Sequence, residues 1–280
     1  MRPIAVATTA GAHVDDDWPL LRDALAAEEI DGQLCVWDDE TVRWDGYDLV
    51  VIRSTWDYTK DRASFLTWAS GVPALFNRYP IIEYSTDKHY LADLEAKGHR
   101  IVPTTFCDVG ERAAFPNSRF VVKPTVGAGS MDADQYGPDE HDRAFEHVAR
   151  LHGSGRDAMI QPYVSSIDTA GERALVFIDG QLSHALTKGA MLNVAEVDRH
   201  ALFRREQMSN ASPEAESLAF AEGMLADPLF EDLLYARADL VLMDEGWAVM
   251  ELELVEPSLF LTYDEQAAGK LARAIRRRLS

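Results

Sequence analysis

The stretch from Arg237 to Val255 constrains the fold most, because it predicts a β-hairpin with two chemically different faces. Asp244-Glu-Gly246 predicts a three-residue turn, and centring that turn on Glu245 sets which residues lie opposite each other. Side chains alternate between the faces of a strand, so one face of this hairpin is wholly apolar. That face consists of Ala238, Leu240, Leu242, Ala248, Met250, Leu252 and Leu254. The chain therefore contains an antiparallel ribbon that packs one side on a core.

The other face of the hairpin concentrates charge. Asp239 lies opposite Glu251, and Arg237 lies opposite Glu253. Carboxylates placed opposite each other, roughly 5–7 Å apart, repel and destabilise a sheet. A divalent cation would neutralise them, and clustered hard oxygens are the ligands that Mg²⁺ selects. The alternative is a solvated acidic edge partly neutralised by Arg237, and a one-residue slip in register would remove the pairing altogether.

Short apolar strands alternate with amphipathic helices along the rest of the chain, which predicts an α/β (α+β) fold. The strands Ile4–Ala7, 33–37 and 49–52 and the helix that Pro19 opens form a βαβ unit over residues 1–82. A second unit, 83–162, begins with a helix capped by Ser85 or Thr86. The third unit, 163–280, holds two hairpins and a final helix from about Asp264. The Asp179-Gly180 pair predicts the turn of the first hairpin.

Composition excludes several classes of protein. The 280 residues carry 27 Lys and Arg against 47 Asp and Glu, a formal net charge of −20. Nucleic acid and anionic membranes need basic surface, so neither is expected as a partner. Cys35 and Cys107 form no CxxC motif, so no disulfide framework or zinc site is implied. No apolar run approaches about 18 residues. A cytoplasmic protein that binds a small molecule is the expectation.

A second candidate feature is Lys123 with the glycine-rich stretch that follows it, Pro124 to Ser130. A lysine at the end of a buried strand, followed by a small flexible loop, can hold a phosphate, because glycines let backbone N–H groups approach the oxygens. The lysine precedes the loop, so this is not a P-loop, and no Rossmann fingerprint is present. A surface lysine beside a turn is the alternative. Lys88, Lys188 and Arg173 are further cations, and the predicted register of the first hairpin puts Arg173 and Lys188 on one strand face.

The order of the charged hairpin face, the lysines and the glycine-rich loop along the chain resembles that of the ATP-grasp superfamily of carboxylate–amine ligases. The resemblance is carried by Ser85-Thr-Asp-Lys88-His-Tyr-Leu91, Lys123 before its loop, Met159 to Val164, Gly171-Glu-Arg173, His184-Ala-Leu-Thr-Lys188, Arg237-Ala-Asp239 and Glu251-Leu-Glu253. Within the superfamily the chain is similar to the small branch that includes the cycloserine-forming O-ureido-D-serine cyclo-ligase. That likeness lies in Val36-Trp-Asp-Asp39, Tyr47 to Tyr58 and Glu251 to Phe260. It implies an N-terminal βαβ domain and two α+β subdomains that clamp ATP.

The resemblance also implies a role for each matching residue. Asp239, Glu251 and Glu253 would hold two Mg²⁺ ions, or Mn²⁺. ATP would meet Lys88, Lys123, Gly127, Gly129, Ser130, Gln161, Tyr163, Val164 and Asp168. Catalysis would fall to Arg237 and Lys188. The substrate would meet Arg53, Ser54, Trp56, Asp57, Arg173 and Glu256. An equally good interpretation is that Trp56 and Tyr58 are packing residues and that Arg53 forms a salt bridge.

The implied reaction is activation of a small-molecule carboxylate by ATP as an acyl phosphate, which an amine nitrogen then attacks. The nitrogen belongs to the same molecule in a cyclo-ligase and to a second amino acid or peptide in an intermolecular ligase. A non-catalytic nucleotide sensor is a third possibility. Relatives of this kind are often homodimers. The chain departs from glutathione-synthetase-like members over Gly189 to Met208, and this leaves the substrate open.

Overall fold

The N-terminal third forms a parallel sheet that is buried on both faces. The structure, a computed structural model, describes residues 2–11, 15–189 and 208–279. The sheet has the strand order β2-β1-β3-β4, and its helices are α1 (Trp18–Ala27), α2 (Arg62–Gly71) and α3 (Tyr79–Ser85). The strands are β1 (Ile4–Thr8), β2 (Gly32–Val36), β3 (Leu49–Ser54) and β4 (Leu75–Phe76). Short 3-10 helices cover Trp44–Gly46 and Trp56–Lys60. The near-continuous apolar runs of β1 and β3 fit strands covered on both sides.

The middle of the chain forms a second, antiparallel sheet with the order β5-β8-β6-β7. Its strands are β5 (Thr105–Cys107), β6 (Phe120–Pro124), β7 (Asp134–Tyr136) and β8 (Ala158–Pro162). Helix α4 (Tyr90–Ala96) precedes the sheet, and α5 (His141–Gly153) packs on it. The prediction that Ser85 or Thr86 caps α4 is wrong. Ser85 ends α3, and its hydroxyl instead accepts from the Leu254 N–H and donates to the Leu252 carbonyl.

The last third forms a five-stranded antiparallel sheet with the order β11-β10-β9-β12-β13. Its strands are β9 (Glu172–Ile178), β10 (Gln181–Lys188), β11 (Met208–Ala211), β12 (Tyr235–Met243) and β13 (Gly246–Glu253). Its helices are α6 (Ile167–Ala170), α7 (Ala215–Leu225) and α8 (Ala267–Arg278), with 3-10 turns at Pro228–Phe230 and Leu261–Tyr263. The expected mixed α/β fold class is confirmed.

Helix α8 joins the C-terminal sheet to the N-terminal one. Its apolar face shares one core with β1, β3, α1 and β9. Its basic end is partly buried, because the Arg278 side chain is only 9% exposed and bonds Asp179 at 2.7 Å and Asp232 at 3.1 Å, while Arg277 beside it is 58% exposed. Asp179 lies in the β9–β10 turn, so α8 fixes that hairpin against the first sheet.

Candidate active site

A single cleft of about 710 Å³ contains most of the candidate residues. Such a volume lies within the range of small-molecule sites. Its walls come from all three sheets: the segments after β1 and β3, the loop after β6, the faces of β8 and β13, and the segment that follows β13. Predicted site residues that line it are Trp56, Lys88, Lys123, Gly127, Gly129, Ser130, Gln161, Tyr163, Val164, Lys188, Arg237, Glu251, Glu253 and Glu256.

The β12–β13 hairpin brings Asp239 opposite Glu251 and Arg237 opposite Glu253, as the sequence predicts. The predicted turn is nevertheless wrong, because Met243 pairs with Gly246 and only Asp244 and Glu245 form the loop. An uninterrupted ladder from this two-residue turn would place Met250 opposite Asp239. A β-bulge between Val249 and Glu251 absorbs one residue and restores the pairing of the carboxylates.

The bulge also changes which side chains are apolar core. Met250 was predicted in the core but lines the cleft, and Leu242 is 39% exposed. Trp247 and Val249 pack beside Ala238 and Leu240 in their place. Beyond the bulge, Ala248 packs in a separate small cluster with Val164. The prediction of an apolar face is therefore correct only for the end of the hairpin that is distant from the turn.

Three carboxylates meet on the cleft side of this hairpin. One oxygen from each of Asp239, Glu251 and Glu253 lies within 4.8 Å of the other two. Burial raises the pKa of Glu253 to about 8, and repulsion from Glu251 and Asp239 adds to this while Arg237 opposes it. Such a buried carboxylate cluster suits a hard divalent cation, which would offset the mutual repulsion. The donor set therefore fits Mg²⁺.

Arg237 and Lys188 neutralise Asp239, which is fully buried. The guanidinium of Arg237 bonds both Asp239 oxygens, with Nε at 2.9 Å from Oδ1 and Nη2 at 2.8 Å from Oδ2. The Lys188 ammonium lies 2.7 Å from Oδ2 and also pairs with Glu172. Burial alone would raise the pKa of Asp239, but these two cations hold it below its ordinary value. Asp239 is thus ionised and ready to act as a ligand.

Two further lysines converge on Glu251. The Lys88 ammonium lies 2.9 Å from Glu251 Oε1 and donates to the Gly127 carbonyl at 2.7 Å. Lys123 makes no ion pair or hydrogen bond within residues 2–11, 15–189 and 208–279. Burial and the neighbouring Lys88 and Lys188 lower its pKa, although Glu251 and Glu172 partly compensate. A cation left without a partner in a cleft is suited to an anionic ligand.

The loop after β6 bends over the cleft. Gly129 and Ser130 have φ values of 61° and 57°, in the left-handed region that glycine adopts without a steric cost. The Lys88 contact with the Gly127 carbonyl ties this loop to the segment before α4. The loop thus faces the same space as the three lysines.

An apolar and amide-lined end of the cleft follows β8. Val164, Ile167 and Met250 pack together there, and Gln161 donates to the Thr104 hydroxyl at 2.9 Å. This end can hold a flat, weakly polar ring. Asp168 does not line the cleft, because its carboxylate bonds the Tyr163 hydroxyl and Arg119, whose guanidinium stacks 3.6 Å from the Tyr163 ring. The structure therefore does not bring Asp168 to the position of a ribose ligand.

The substrate candidates from the β3 end separate into two groups. Trp56 lines the cleft and donates to the Glu256 carbonyl at 3.1 Å, and Glu256 itself lines the cleft. Burial raises the Glu256 pKa to about 7, while a hydrogen bond from Tyr58 and the charge of Lys88 limit the shift. Ser54 and Asp57 lie outside the cleft, since Ser54 bonds the Thr8 hydroxyl at 2.7 Å and Asp57 accepts from Trp37 at 2.9 Å.

Arg53 is buried away from the cleft, contrary to its predicted role. Its side chain is 1% exposed and lies 2.9 Å from Asp15 and 3.4 Å from Asp17. It also donates to the Pro257 carbonyl at 2.9 Å. The alternative reading of Arg53 as a salt-bridge residue is thus the one that the structure supports, because two buried carboxylates already occupy its guanidinium.

Arg173 is also misplaced by the sequence analysis. A register shift between Leu182 and His184 places Thr187 opposite Arg173 and Lys188 opposite Glu172. Arg173 and Lys188 therefore project from opposite faces of the sheet. Lys188 reaches the cleft, whereas Arg173 pairs with Glu214 at 2.9 Å on the other side.

Sequence reasoning missed several residues of the cleft, among them Tyr58, Glu172, Met250, Ser258 and Phe260. Glu172 stands within the Gly171-Glu-Arg173 motif, and its neighbour Arg173 was chosen in its place. The stretch after Lys188 where the chain departs from other ligases falls on residues 190–207, outside the described residues.

Comparison with known proteins is consistent with this geometry. Residues 4–79 match the family model described as D-cycloserine synthetase DcsG, N-terminal domain. The chain is 38% identical over 287 residues to the cycloserine biosynthesis protein DcsG of Streptomyces lavendulae, covering 95% of both. The crystal structure of D-cycloserine synthetase DcsG matches with a TM-score of 0.87 and 35% identity over 99% of each chain.

The chain belongs to the DcsG family of ATP-grasp ligases. Two other solved ligases share the fold at 15% identity. D-alanine–D-alanine ligase of Bacillus anthracis, complexed with ATP, has a TM-score of 0.70. The match covers 100% of this chain and 97% of that ligase. The ATP-grasp ligase PsnB, complexed with minimal precursor, Mg and ADP, has a TM-score of 0.61, with 99% of this chain and 97% of PsnB covered.

This member of the DcsG family is an ATP-dependent, ADP-forming carbon–nitrogen ligase. None of the helices in the described part of the chain combines the length and the apolar composition that a membrane crossing needs.

Proposed function

We propose that this ligase activates the carboxylate of a small amino-acid derivative of the O-ureido-D-serine type and closes a ring within that molecule. The likeness to DcsG along nearly the whole chain supports the substrate class. The observation that carries the chemistry is a cluster of three carboxylates, of which Glu251 and Glu253 line the cleft, beside three lysines that also line it. The proposed product is a cycloserine-type ring, and the proposed role is in cycloserine biosynthesis, as in the name of the Streptomyces lavendulae relative.

The proposed ATP site uses the charges described above. The triphosphate would lie against Lys88, Lys123 and Lys188 beneath the loop of Gly127, Gly129 and Ser130. Lys123 supports this arrangement best, because a half-buried ammonium that forms no ion pair or hydrogen bond with the described residues is stabilised by a phosphate oxygen. The base would lie at the apolar end, beside Val164 and Met250, with Gln161 and the backbone at Tyr163 as polar contacts.

Asp239, Glu251 and Glu253 would hold Mg²⁺, in two ions if the site follows the arrangement expected of the superfamily. When bound, Mg²⁺ would neutralise phosphate oxygens and so favour attack on the γ-phosphorus. Arg237 fixes Asp239 and contacts Glu253, so it orients two of the three ligands. Its position also allows it to stabilise negative charge on the acyl carbon's oxygen as the tetrahedral intermediate forms.

The proposed chemistry has two steps. A carboxylate oxygen of the substrate attacks the γ-phosphorus, the bond to ADP breaks, and an acyl phosphate forms. The oxygen-bound nitrogen of the ureido group then attacks the acyl carbon, loses its proton and expels phosphate, which carries away one former carboxylate oxygen. The five-membered ring so formed still has the carbamoyl group on that nitrogen, and hydrolysis by one water releases this group as carbon dioxide and ammonia. Glu256 would bind the α-ammonium group, because its buried carboxylate forms no ion pair with any described residue.

The test is ADP and phosphate release with O-ureido-D-serine, ATP and Mg²⁺, with E251Q as the inactive control. A cyclo-ligase turns over with this single acceptor and yields a cyclised product by mass spectrometry. With ¹⁸O in the substrate carboxylate, one label must appear in the released phosphate if an acyl phosphate forms. Turnover only after adding a second amino acid would favour intermolecular ligation, and ATP binding without turnover on any acceptor would favour a sensor.

A further inference from the structure

The segment from Glu256 to Phe260, here called the cleft segment, forms part of the cleft wall without belonging to any strand. It begins three residues after the end of β13 at Glu253. Glu256, Ser258 and Phe260 line the cleft, whereas Leu259 is fully buried in the core below. The segment thus resembles an extended strand with one face on the ligand space, but none of the strands in the described residues pairs with it.

Four consecutive carbonyls of the cleft segment are instead held by four side chains from different elements. Trp56 donates to the carbonyl of Glu256 at 3.1 Å, and Arg53 donates to that of Pro257 at 2.9 Å. Arg237 donates to the carbonyl of Ser258 at 2.9 Å, and His184 Nε2 lies 3.0 Å from that of Leu259. Buried backbone groups need such partners, so these donors replace the missing sheet ladder.

His184 is arranged to act as a donor. A carbonyl can only accept, so the hydrogen lies on Nε2, and Nδ1 accepts from the Ser183 hydroxyl at 3.0 Å. Lys270 bonds the Ser183 carbonyl at 2.8 Å and reaches its hydroxyl at 3.4 Å. Burial lowers the pKa of His184, which keeps the ring neutral with one donor and one acceptor. Neither the metal ligands nor the lysines of the cleft enter this chain of contacts.

Arg53 contacts the cleft segment directly and, through Asp17, the residue that follows it. It binds the Pro257 carbonyl directly, and it pairs with Asp17, whose other oxygen accepts from the Leu261 N–H at 2.8 Å. The buried charge cluster therefore fixes both ends of the stretch that holds Ser258 and Phe260. Neither Arg53 nor His184 lines the cleft, so both act on a ligand indirectly. His184 does so through this segment, and Arg53 does so through the segment and through Asp15 and Asp17, which line the cleft.

We propose that Arg53 and His184 are positioning residues that hold the cleft segment as the substrate-side wall of the active site. Arg53 comes from the N-terminal sheet and His184 from the C-terminal sheet, so the wall is placed only when both sheets are assembled. The kinetic part of this inference rests on the proposed function, whereas the placement of the segment does not.

The decisive variant is H184L, which removes the donor to Leu259 and keeps an apolar side chain of moderate size. H184Q retains an N–H donor and serves as the conservative rescue. R53K is the second variant, although it also leaves Asp15 and Asp17 poorly paired and so risks misfolding. R278K is the matched control, because Arg278 is likewise a buried arginine with two aspartate partners, but distant from the cleft.

Two measurements test the proposal. In hydrogen–deuterium exchange of the ligand-free protein, H184L should exchange faster over residues 256–262, H184Q should approach the parent, and R278K should not change this segment. In steady-state kinetics with O-ureido-D-serine, H184L should raise the KM for that substrate roughly tenfold and leave the KM for ATP within about twofold, as expected for one lost hydrogen bond.

Unchanged exchange over 256–262 in H184L overturns the proposal, whatever the substrate is. Equal rises in both KM values, or the same substrate effect in R278K, would assign the change to general destabilisation and also overturn it. If no turnover occurs with O-ureido-D-serine in the parent, the proposed function fails while the exchange result still decides the positioning role.

Discussion

Lys123 and Lys188 lie in the same cleft but should respond oppositely to replacement by methionine. Methionine keeps an unbranched apolar stem and removes only the charge. Lys188 has two carboxylate partners, Asp239 and Glu172, whereas Lys123 has none among the described residues. K188M should therefore destabilise the ligand-free protein, and K123M should stabilise it.

The magnitudes follow from these contacts. Breaking a buried pair costs roughly 3–5 kcal/mol, and Asp239 retains Arg237, so K188M should lose about 3 kcal/mol. Removing the Lys123 ammonium, whose burial Glu251 and Glu172 compensate only in part, should gain about 1 kcal/mol, or roughly 2 °C in Tm. A charged hydrogen bond to a phosphate contributes about 1.5–3 kcal/mol, so K123M should weaken nucleotide binding roughly 10- to 150-fold.

Thermal unfolding with and without a non-hydrolysable ATP analogue and Mg²⁺ measures both effects. At an analogue concentration 100 times the parent Kd, the parent should gain about 2.7 kcal/mol, and a variant that binds 100-fold more weakly only about 0.4 kcal/mol. The reasoning is refuted if ligand-free K123M unfolds at a lower temperature than the parent, or if the analogue stabilises it as strongly.

Three further predictions concern the metal ligands, one glycine and the substrate end. Burial raises the pKa of Glu253 from 4.5 to about 8, so the folded, metal-free protein holds a proton there that the unfolded chain releases. This proton contributes its full stability below pH 4.5, and the contribution is lost as the pH rises through 8. Mg²⁺ binding at pH 7 should therefore release a proton, visible by calorimetry in two buffers of different ionisation enthalpy and absent in E253Q. G171A should lose at least about 2 kcal/mol in urea unfolding, because Gly171 has φ 71° and ψ 178° and an added Cβ would lie 2.8 Å from the Lys188 carbonyl oxygen. E256Q should raise the KM for O-ureido-D-serine roughly tenfold without changing that for ATP, and an equal loss for the analogue without its amino group would contradict ammonium binding.

The fold class and much of the cleft could be predicted from the sequence, because strand periodicity and motif order are local properties. The three lysines, the glycine-rich loop and the acidic hairpin face all reach one cleft. The sequence also showed that Asp239 and Glu251 would be opposed, but for an incomplete reason. The turn is one residue shorter than predicted, and a bulge at Met250 compensates for this. Asp244 and Gly246 mark the turn but not its length, and nothing in the sequence marks the bulge.

The positions of Arg53 and Arg173 outside the cleft could not be predicted, because they depend on which charged residues distant segments bring near each guanidinium. Arg53 meets Asp15 and Asp17 from the loop after β1, and one shifted residue in the β9–β10 register turns Arg173 to the far face. In both cases the residue type suited a carboxylate, and the partner was a protein carboxylate rather than a ligand.

The amino-acid sequence by itself determined the chemical types that the cleft contains and the sheets that carry them, since alternation along a strand assigns each side chain to a face. Only the tertiary structure decided the substrate-side wall. The carbonyls of residues 256–259 are bound by Trp56, Arg53, Arg237 and His184. These donors lie between 21 and 204 positions away in the chain, so no local pattern records the contact. A buried segment without a strand partner must find its donors wherever packing brings them.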